Sequence, residues 1–259
     1  MIDEPYRWME AIANRREYIE HQLASGSPIA ALSYRQGILF FTLGRERQKV
    51  FEIYDRIGMG AIGHPGDIER LRMAAIELTS AEGFTRSAQD VSLRRLVTYS
   101  LSPALKAAFE QVYGPPYLAR LLFAELGRGD APNLFVRMQY DGSIDTNGGT
   151  FGRAFQNFGA IAGTGPATEK MEEFLREHAK PDATFAQALD VACDAWALGH
   201  LVLGADGGDA EFSADDIAAH RREQLSGASV EAGVLDRQAR TAITWRSLPD
   251  AETRTMLTA

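Results

Sequence analysis

Between residues 28 and 63 the chain carries four strand-like segments in succession, PIAALSY, ILFFTL, KVFEIYD and IGMGAIG, parted only by short turns. Each is short, apolar and bounded by turn residues. Small residues at Gly58, Gly60, Ala61 and Gly63 imply a backbone packed closely against a neighbour. The pattern then changes period. GDIERLRMAAIELTSAEG sets Ile68, Leu71, Ala75 and Ile76 on one helical face, with Gly83 as a C-cap. SAQDVSLRRLVTYSLSPALKAAFEQVYG repeats that spacing with Val91, Val97, Leu101, Leu105 and Ala108, bent or restarted at Pro103. Strands return in YLARLLFAELG, in NLFVRMQYDGSIDTN with a hairpin at Asp141-Gly142, and in FQNFGAIAGTG. A second helix pair follows, ATEKMEEFLREH and TFAQALDVACDAWALGHLVL, and SVEAGVLD and AITWRSL are strands again. Grouped strands alternating with helix pairs predict a layered α+β domain, not a parallel βαβ repeat.

Ahead of the strands stands DEPYRWMEAIANRREYIEHQLASG, a helix started by Asp3 and Pro5 and stopped by Gly26 and Pro28. Trp8, Ile12, Ile19 and Leu23 form a narrow apolar stripe, so this helix belongs on a surface or against a neighbour. Residues 1–259 read as one domain, with a flexible arm over 1–7, the helix over 8–25 and the layered body over 28–246. Residues 204–227, acidic and Gly-rich, read as a mobile excursion, and residues 249–259 as a tail that is either a short helix or frayed.

The formal charge of −8 argues against a nucleic-acid partner. No apolar run reaches membrane-spanning length and no signal-peptide core is present, so a cytoplasmic chain without a membrane partner is expected. One cysteine, Cys193, excludes an intrachain disulfide and suits a reducing compartment. Its helical setting reads as a buried thiol and not as a nucleophile. The five histidines are scattered, with no i,i+4 pair to bind metal. GTGP at 163–166 lacks the Lys-Ser/Thr of a phosphate loop and reads as a helix start. No cofactor and no metal are expected.

The order of elements and the residues together resemble the proteasome subunit family, in particular its bacterial, actinobacterial-type α subunits, over about residues 8–245. The resemblance is carried by ALSYRQGILF, by QKVFEIYDRIGMGAIGHPGDIERLR running into EGFTRSAQDV, by AFEQVYGPPYLARLLFAEL, by YDGSID, and by Gly-Thr-Gly at 163–165 before a helix. It implies a four-layer αββα sandwich, the N-terminal-nucleophile hydrolase-like fold, with an extra N-terminal helix packed between neighbours. It also implies a homo-heptameric α ring, proteasome β subunits as partners, and tag-dependent protein degradation. A ring-shaped AAA ATPase or other activator would dock through its C-terminal tails.

Catalytic members of the family use an N-terminal threonine exposed by cleavage after a glycine, whose free α-amine assists the hydroxyl. By spacing from Gly37 that residue falls at Ser27, after Gly26; the family's aspartate falls at Leu43 and its lysine at Lys49. One position of three survives, which implies a non-catalytic chain. The alternative is an N-terminal-nucleophile peptidase acting through Ser27, against which stand Pro28 and the helical character of the preceding residues.

In α subunits a lysine at the position of Lys49 lines a pocket between neighbours and pairs with an activator's terminal carboxylate. Gly63 and His64 then flank the pocket, although His-Pro-Gly replaces the family's more usual aliphatic residues. The other reading is a solvated lysine at a strand end. VYGPPY implies a loop narrowing the pore, built from Tyr113, Gly114, Pro115 and Pro116; alternatively, Pro-Pro simply ends a helix. Tyr54-Asp55-Arg56 matches by letters a gate motif that belongs at the N-terminus, but here it closes a strand. The gate would instead be the arm that begins Met1, Ile2, Asp3, Glu4.

Overall fold

The computed structural model describes residues 4–44, 47–111, 113–129, 131–145, 157–205 and 210–258. The early strands are β1 (Ile29–Tyr34), β2 (Gly37–Gly44), β3 (Val50–Tyr54) and β4 (Ile57–Gly63). The later ones are β5 (Ala119–Glu125), β6 (Leu134–Met138), β7 (Ile144–Asp145), β8 (Phe158–Ile161), β9 (Ser229–Asp236) and β10 (Trp245–Leu248). They form two antiparallel sheets, ordered β10-β9-β2-β1-β8 and β3-β4-β5-β6-β7, so the first two hairpins lie in different sheets.

The sheets stack face to face. Ile29, Ala31, Ile38 and Phe40 of the first meet Val50, Ile62, Leu122 and Phe135 of the second. A Cβ on Gly60 would lie 2.9 Å from Ile29 Cγ2, so glycine there is what lets the layers close.

Helices cover both outer faces. On the second sheet lie α2 (Pro65–Thr85) and a broken helix: α3 (Leu93–Arg95), a π-helical turn over Leu96–Leu101, and α4 (Ser102–Glu110), which restarts with Pro103 in its first turn. Leu71, Ala75, Val97 and Leu101 pack there on Met59, Leu121 and Phe123. On the first sheet lie α5 (Gly165–His178) and α6 (Phe185–Gly204), with Met171, Cys193 and Trp196 over Leu39, Phe41 and Val234. The expected αββα sandwich is the observed one. Cys193 is fully buried, and burial pushes its thiol up to about 12, which disfavours a thiolate nucleophile.

Several boundaries differ from those read in the sequence. The N-terminal helix α1 (Glu4–Leu23) begins inside the expected arm; residues 1–3 lie outside the described ones. Gly83 is no cap: it sits inside α2 with its Cα toward the Tyr54 ring, and α2 runs on to Thr85. The supposed mobile excursion contains α7 (Ala214–Gly227). Ser213 and Asp216 form a capping box at its start, and Ile217 and Leu225 are buried beside α6. With only two buried apolar positions, its helical period is weak in the sequence. The tail from Asp250 forms α8 (Asp250–Thr258).

Helix α1 is tied down by a partly buried polar network. The Glu20 carboxylate accepts from the Tyr140 hydroxyl at 2.7 Å and from Arg120. Arg120 in turn donates to the carbonyls of Ala162 and Gly163 and to Gln139 Oε1. Ile19 and Leu23 of α1 pack on Phe109 and Tyr140.

A second buried ionic site joins α5 to the edge of the other sheet. Glu172 lies 2.9 Å from Arg137, which also pairs with Asp145. The Glu172 oxygen is near in distance but off the hydrogen-bond direction. Burial therefore outweighs Arg137 and raises the carboxyl from its ordinary 4.5 to about 7. A raised carboxyl pKa means the fold holds a proton that the unfolded chain has already lost. This stabilisation is complete below pH 4.5 and is lost as pH rises to about 7. Glu172→Gln, a mimic of the neutral form, should gain stability over the parent by about 3 kcal/mol at pH 8 and close to nothing at pH 4. Thermal melts of both proteins across this range check it; a pH-independent difference counts against the assignment.

Candidate functional site

Lys49 ends the connection that leads into β3, and its main chain is held from three sides. Its carbonyl accepts from Ala61 N at 2.9 Å, its N–H donates to Glu231 Oε1 at 2.8 Å, and Val50 N–H donates to the same oxygen at 2.7 Å. The half-buried side chain lines a cleft of about 550 Å³. The cleft lies between the end of α1 (Gln22, Leu23), the start of β3 (Lys49, Phe51) and the end of β4 (Ile62, Gly63). Burial lowers the ammonium's proton affinity and Glu231 pulls it back up. Among the described residues no carboxylate lies within ion-pair distance of the ammonium. The cleft thus offers a desolvated cation over apolar walls, a setting suited to a carboxylate on an apolar residue.

Gly63 lines this cleft at φ 130°, and a Cβ there would lie 2.0 Å from Leu118 O. His64 stands beside the cleft, exposed. Its N–H donates to Leu118 O at 2.7 Å, and its Nδ1 accepts from Gly66 N at 3.2 Å as the N-cap of α2. The structure therefore brings Lys49 and Gly63 together and gives His64 a capping role at their edge.

The VYGPPY segment follows α4. Gly114 N–H donates to Gln111 O at 3.0 Å, and Tyr113 is fully exposed; residue 112 lies outside the described ones. Arg15 of α1 donates to Ala108 O, Phe109 O and Gly114 O at 3.2, 3.1 and 2.8 Å, so it caps α4 and fixes the turn at once. Arg15 stands 99 positions before Gly114, and nothing in its local sequence signals this role.

At the positions where chemistry would sit, Ser27 is peptide-bonded between the end of α1 and β1. Its hydroxyl donates to Leu43 O at 2.9 Å. Leu43 is buried. Tyr54-Asp55-Arg56 forms the turn from β3 to β4, with Arg56 paired to Glu125 at 3.0 Å. Thr164 caps α5, as the helix-start reading of GTGP requires. The histidines are less scattered in space than in sequence: His200 Nδ1 and His220 Nε2 lie 2.9 Å apart between α6 and α7. Among the described residues, no three of His, Cys, Asp or Glu are grouped to hold a metal ion.

The profile of the family described as "Proteasome subunit" matches residues 39–212, from the second strand through the second helix pair. This chain belongs to the proteasome subunit family. Within that family it is similar to proteins named proteasome subunit alpha. One from Frankia casuarinae is 31% identical over 230 residues, 88% of this chain and 85% of that protein. One from Mycolicibacterium vanbaalenii is 33% identical over 202 residues, covering 76% and 73%. One from Streptomyces griseus is 30% identical over 210 residues, covering 80% and 72%. The chain is accordingly an α-type, non-catalytic proteasome subunit, a component of the core particle in protein degradation. Its extra helix α1, its buried Leu43 and its internal Ser27 all agree with the α side of the family. No helix among the described residues is long and apolar enough to cross a membrane.

Proposed function

We propose that this chain forms the heptameric outer rings of a cytoplasmic proteasome core. The rings template β rings that carry the threonine peptidase sites, and they receive a ring-shaped ATPase or other activator whose C-terminal tails enter the Lys49 cleft. Lys49, Gly63 and the edge at His64 make the docking site. Tyr113, Gly114, Pro115 and Pro116 make the loop that narrows the pore. The gate is the N-terminal arm: Met1, Ile2 and Asp3, which precede the described residues, and Glu4, where α1 begins. The observation that carries the reading is the cleft itself, at the end of α1, whose half-buried ammonium has no ion-pair partner among the described residues.

The Ser27 peptidase reading has little support, because the hydroxyl donates to a main-chain carbonyl and Leu43 stands where the family's aspartate would. Purified alone, the chain should keep its first 26 residues by intact mass and should leave fluorogenic peptides uncut. Peptide cleavage that Ser27→Ala removes would overturn the reading. Mixed with its β partner, it should give stacked rings by negative-stain imaging; β rings that assemble without it count against the templating role.

A further inference from the structure

Behind the proposed docking cleft stands a charged residue of β9. Glu231, on β9, puts one carboxylate on two consecutive main-chain donors, Lys49 N–H and Val50 N–H, with Oε1 at 2.8 and 2.7 Å and Oε2 at 3.0 Å from Lys49 N. The carboxylate is thereby occupied. It acts on the ammonium through space without pairing with it. We infer that Glu231 is the positioning residue of the cleft: it fixes the start of β3 and keeps Lys49 charged while leaving that cation open to an incoming carboxylate. The inference rests on the docking reading for its purpose, not for its electrostatics.

The geometry explains why the carboxylate must be bound by backbone. A buried cation loses proton affinity unless a negative charge stands nearby. A mobile carboxylate would supply that charge but would close on the ammonium and block the cleft. A carboxylate held by main-chain N–H groups supplies the field and stays where it is. The other charged groups facing Lys49 are few among the described residues. Glu69 of α2 lines the cleft, but Arg72 holds it at 2.7 and 2.8 Å, and Arg47 lines the cleft as a second cation. Burial raises the Glu231 carboxyl while its backbone bonds and Lys49 lower it, in keeping with a buried carboxylate that depends on these partners.

The test is competitive acylation of the full chain with isotopically labelled acetic anhydride across pH, read by mass spectrometry. The four lysines, at 49, 106, 170 and 180, report separately, so three serve as internal references. Only the neutral amine reacts. Glu231→Gln keeps an acceptor for the N–H groups and removes the charge. It should lower the pH midpoint of Lys49 labelling by about one unit, a roughly tenfold gain in reactivity below the midpoint, with the reference lysines unmoved. If Glu231 were only a structural tie, the variant would leave the midpoint where it is or, by loosening the start of β3 and exposing Lys49, raise it toward that of a solvated lysine. Either that rise or an unchanged midpoint overturns the inference. Glu231→Asp, which retains the charge, should stay nearer the parent than Glu231→Gln. Because labelling needs no activator, its outcome stands apart from docking. If the midpoint falls but the upper pH limit of activator-driven degradation does not fall with it, the docking reading fails and the electrostatic assignment holds.

Discussion

Lys49→Ala should abolish activator-driven protein degradation by an assembled core while leaving the rings themselves intact. The two halves of this expectation come from different atoms of the same residue. What ties Lys49 into the fold is its main chain: the N–H on Glu231 and the carbonyl on Ala61. Alanine retains both groups, so the start of β3 and the subunit around it should persist. What alanine removes is the ammonium in the cleft. Deleting one member of a desolvated, hydrogen-bonded charge pair at an interface costs about 2–5 kcal/mol. That corresponds to roughly 30- to 4,000-fold in the affinity of a single tail. If an activator ring engages several equivalent clefts at once, as proposed, each weakened contact also lowers the effective concentration that holds the others. Lys49→Arg should be tolerated only in part, since its planar fork is larger and directs its donors differently from a point charge. Co-sedimentation of core and activator, together with turnover of a folded substrate, measures the loss. Mass photometry checks that the rings remain. Activator binding by Lys49→Ala at the parent's affinity would return this lysine to the role of a solvated strand-end residue.

The layers were legible in the sequence because each obeys one dominant period. The four early strands and helices α2, α5 and α6 differ from their read boundaries by a few residues at most, since their apolar positions face a sheet, whereas the helix read over 87–114 is the shorter, broken run from Leu93 to Glu110. Helix α7 was missed for the converse reason: it leans on another helix with only two apolar side chains, Ile217 and Leu225, and otherwise with polar ones, His220 and Arg221. The candidate site divides in the same way. Lys49 and Gly63 were proposed through the family resemblance, which a continuous local stretch of residues carries. Glu231 and Arg15 were not, because each acts across the fold on main-chain atoms, and backbone acceptors and donors carry no residue identity to read. The nearest thing to a signal was a lone glutamate between Val230 and Ala232 in SVEAGVLD. The His200–His220 contact is likewise a product of the α6–α7 packing, 20 residues apart and outside any helical spacing rule.

Removal of residues 1–24 should abolish ring assembly, and a much smaller change should do nearly the same. Within the subunit, the stripe on α1 is covered only along its C-terminal half, where Ile19 and Leu23 are buried on Phe109 and Tyr140 and Ile12 is partly covered. Trp8 lies one turn before Ile12 on that same face and keeps 48% of its surface, and neighbouring Met9 keeps 63%. The apolar stripe therefore runs on past the surface that shields it. Covering those remainders on an adjacent subunit would stabilise each contact by about 2 kcal/mol per side chain, at ~25 cal/mol per Å² of apolar area. A closed ring repeats that gain at every interface, so its loss is multiplied around the circle. Truncation is the blunter test. It also removes Glu20 from Arg120 and Tyr140 and Arg15 from the end of α4, and so leaves buried polar groups without partners in the subunit itself. The double variant Trp8→Ser, Met9→Ser leaves every one of those contacts in place. It should give a folded subunit, with the far-ultraviolet spectrum of the parent, that sediments as a monomer or small oligomer and no longer forms stacked rings with the β partner. Intact rings from the truncated chain would show that α1 is dispensable for assembly. Intact rings from the double variant alone would move the assembly contact off the overhanging end of the helix.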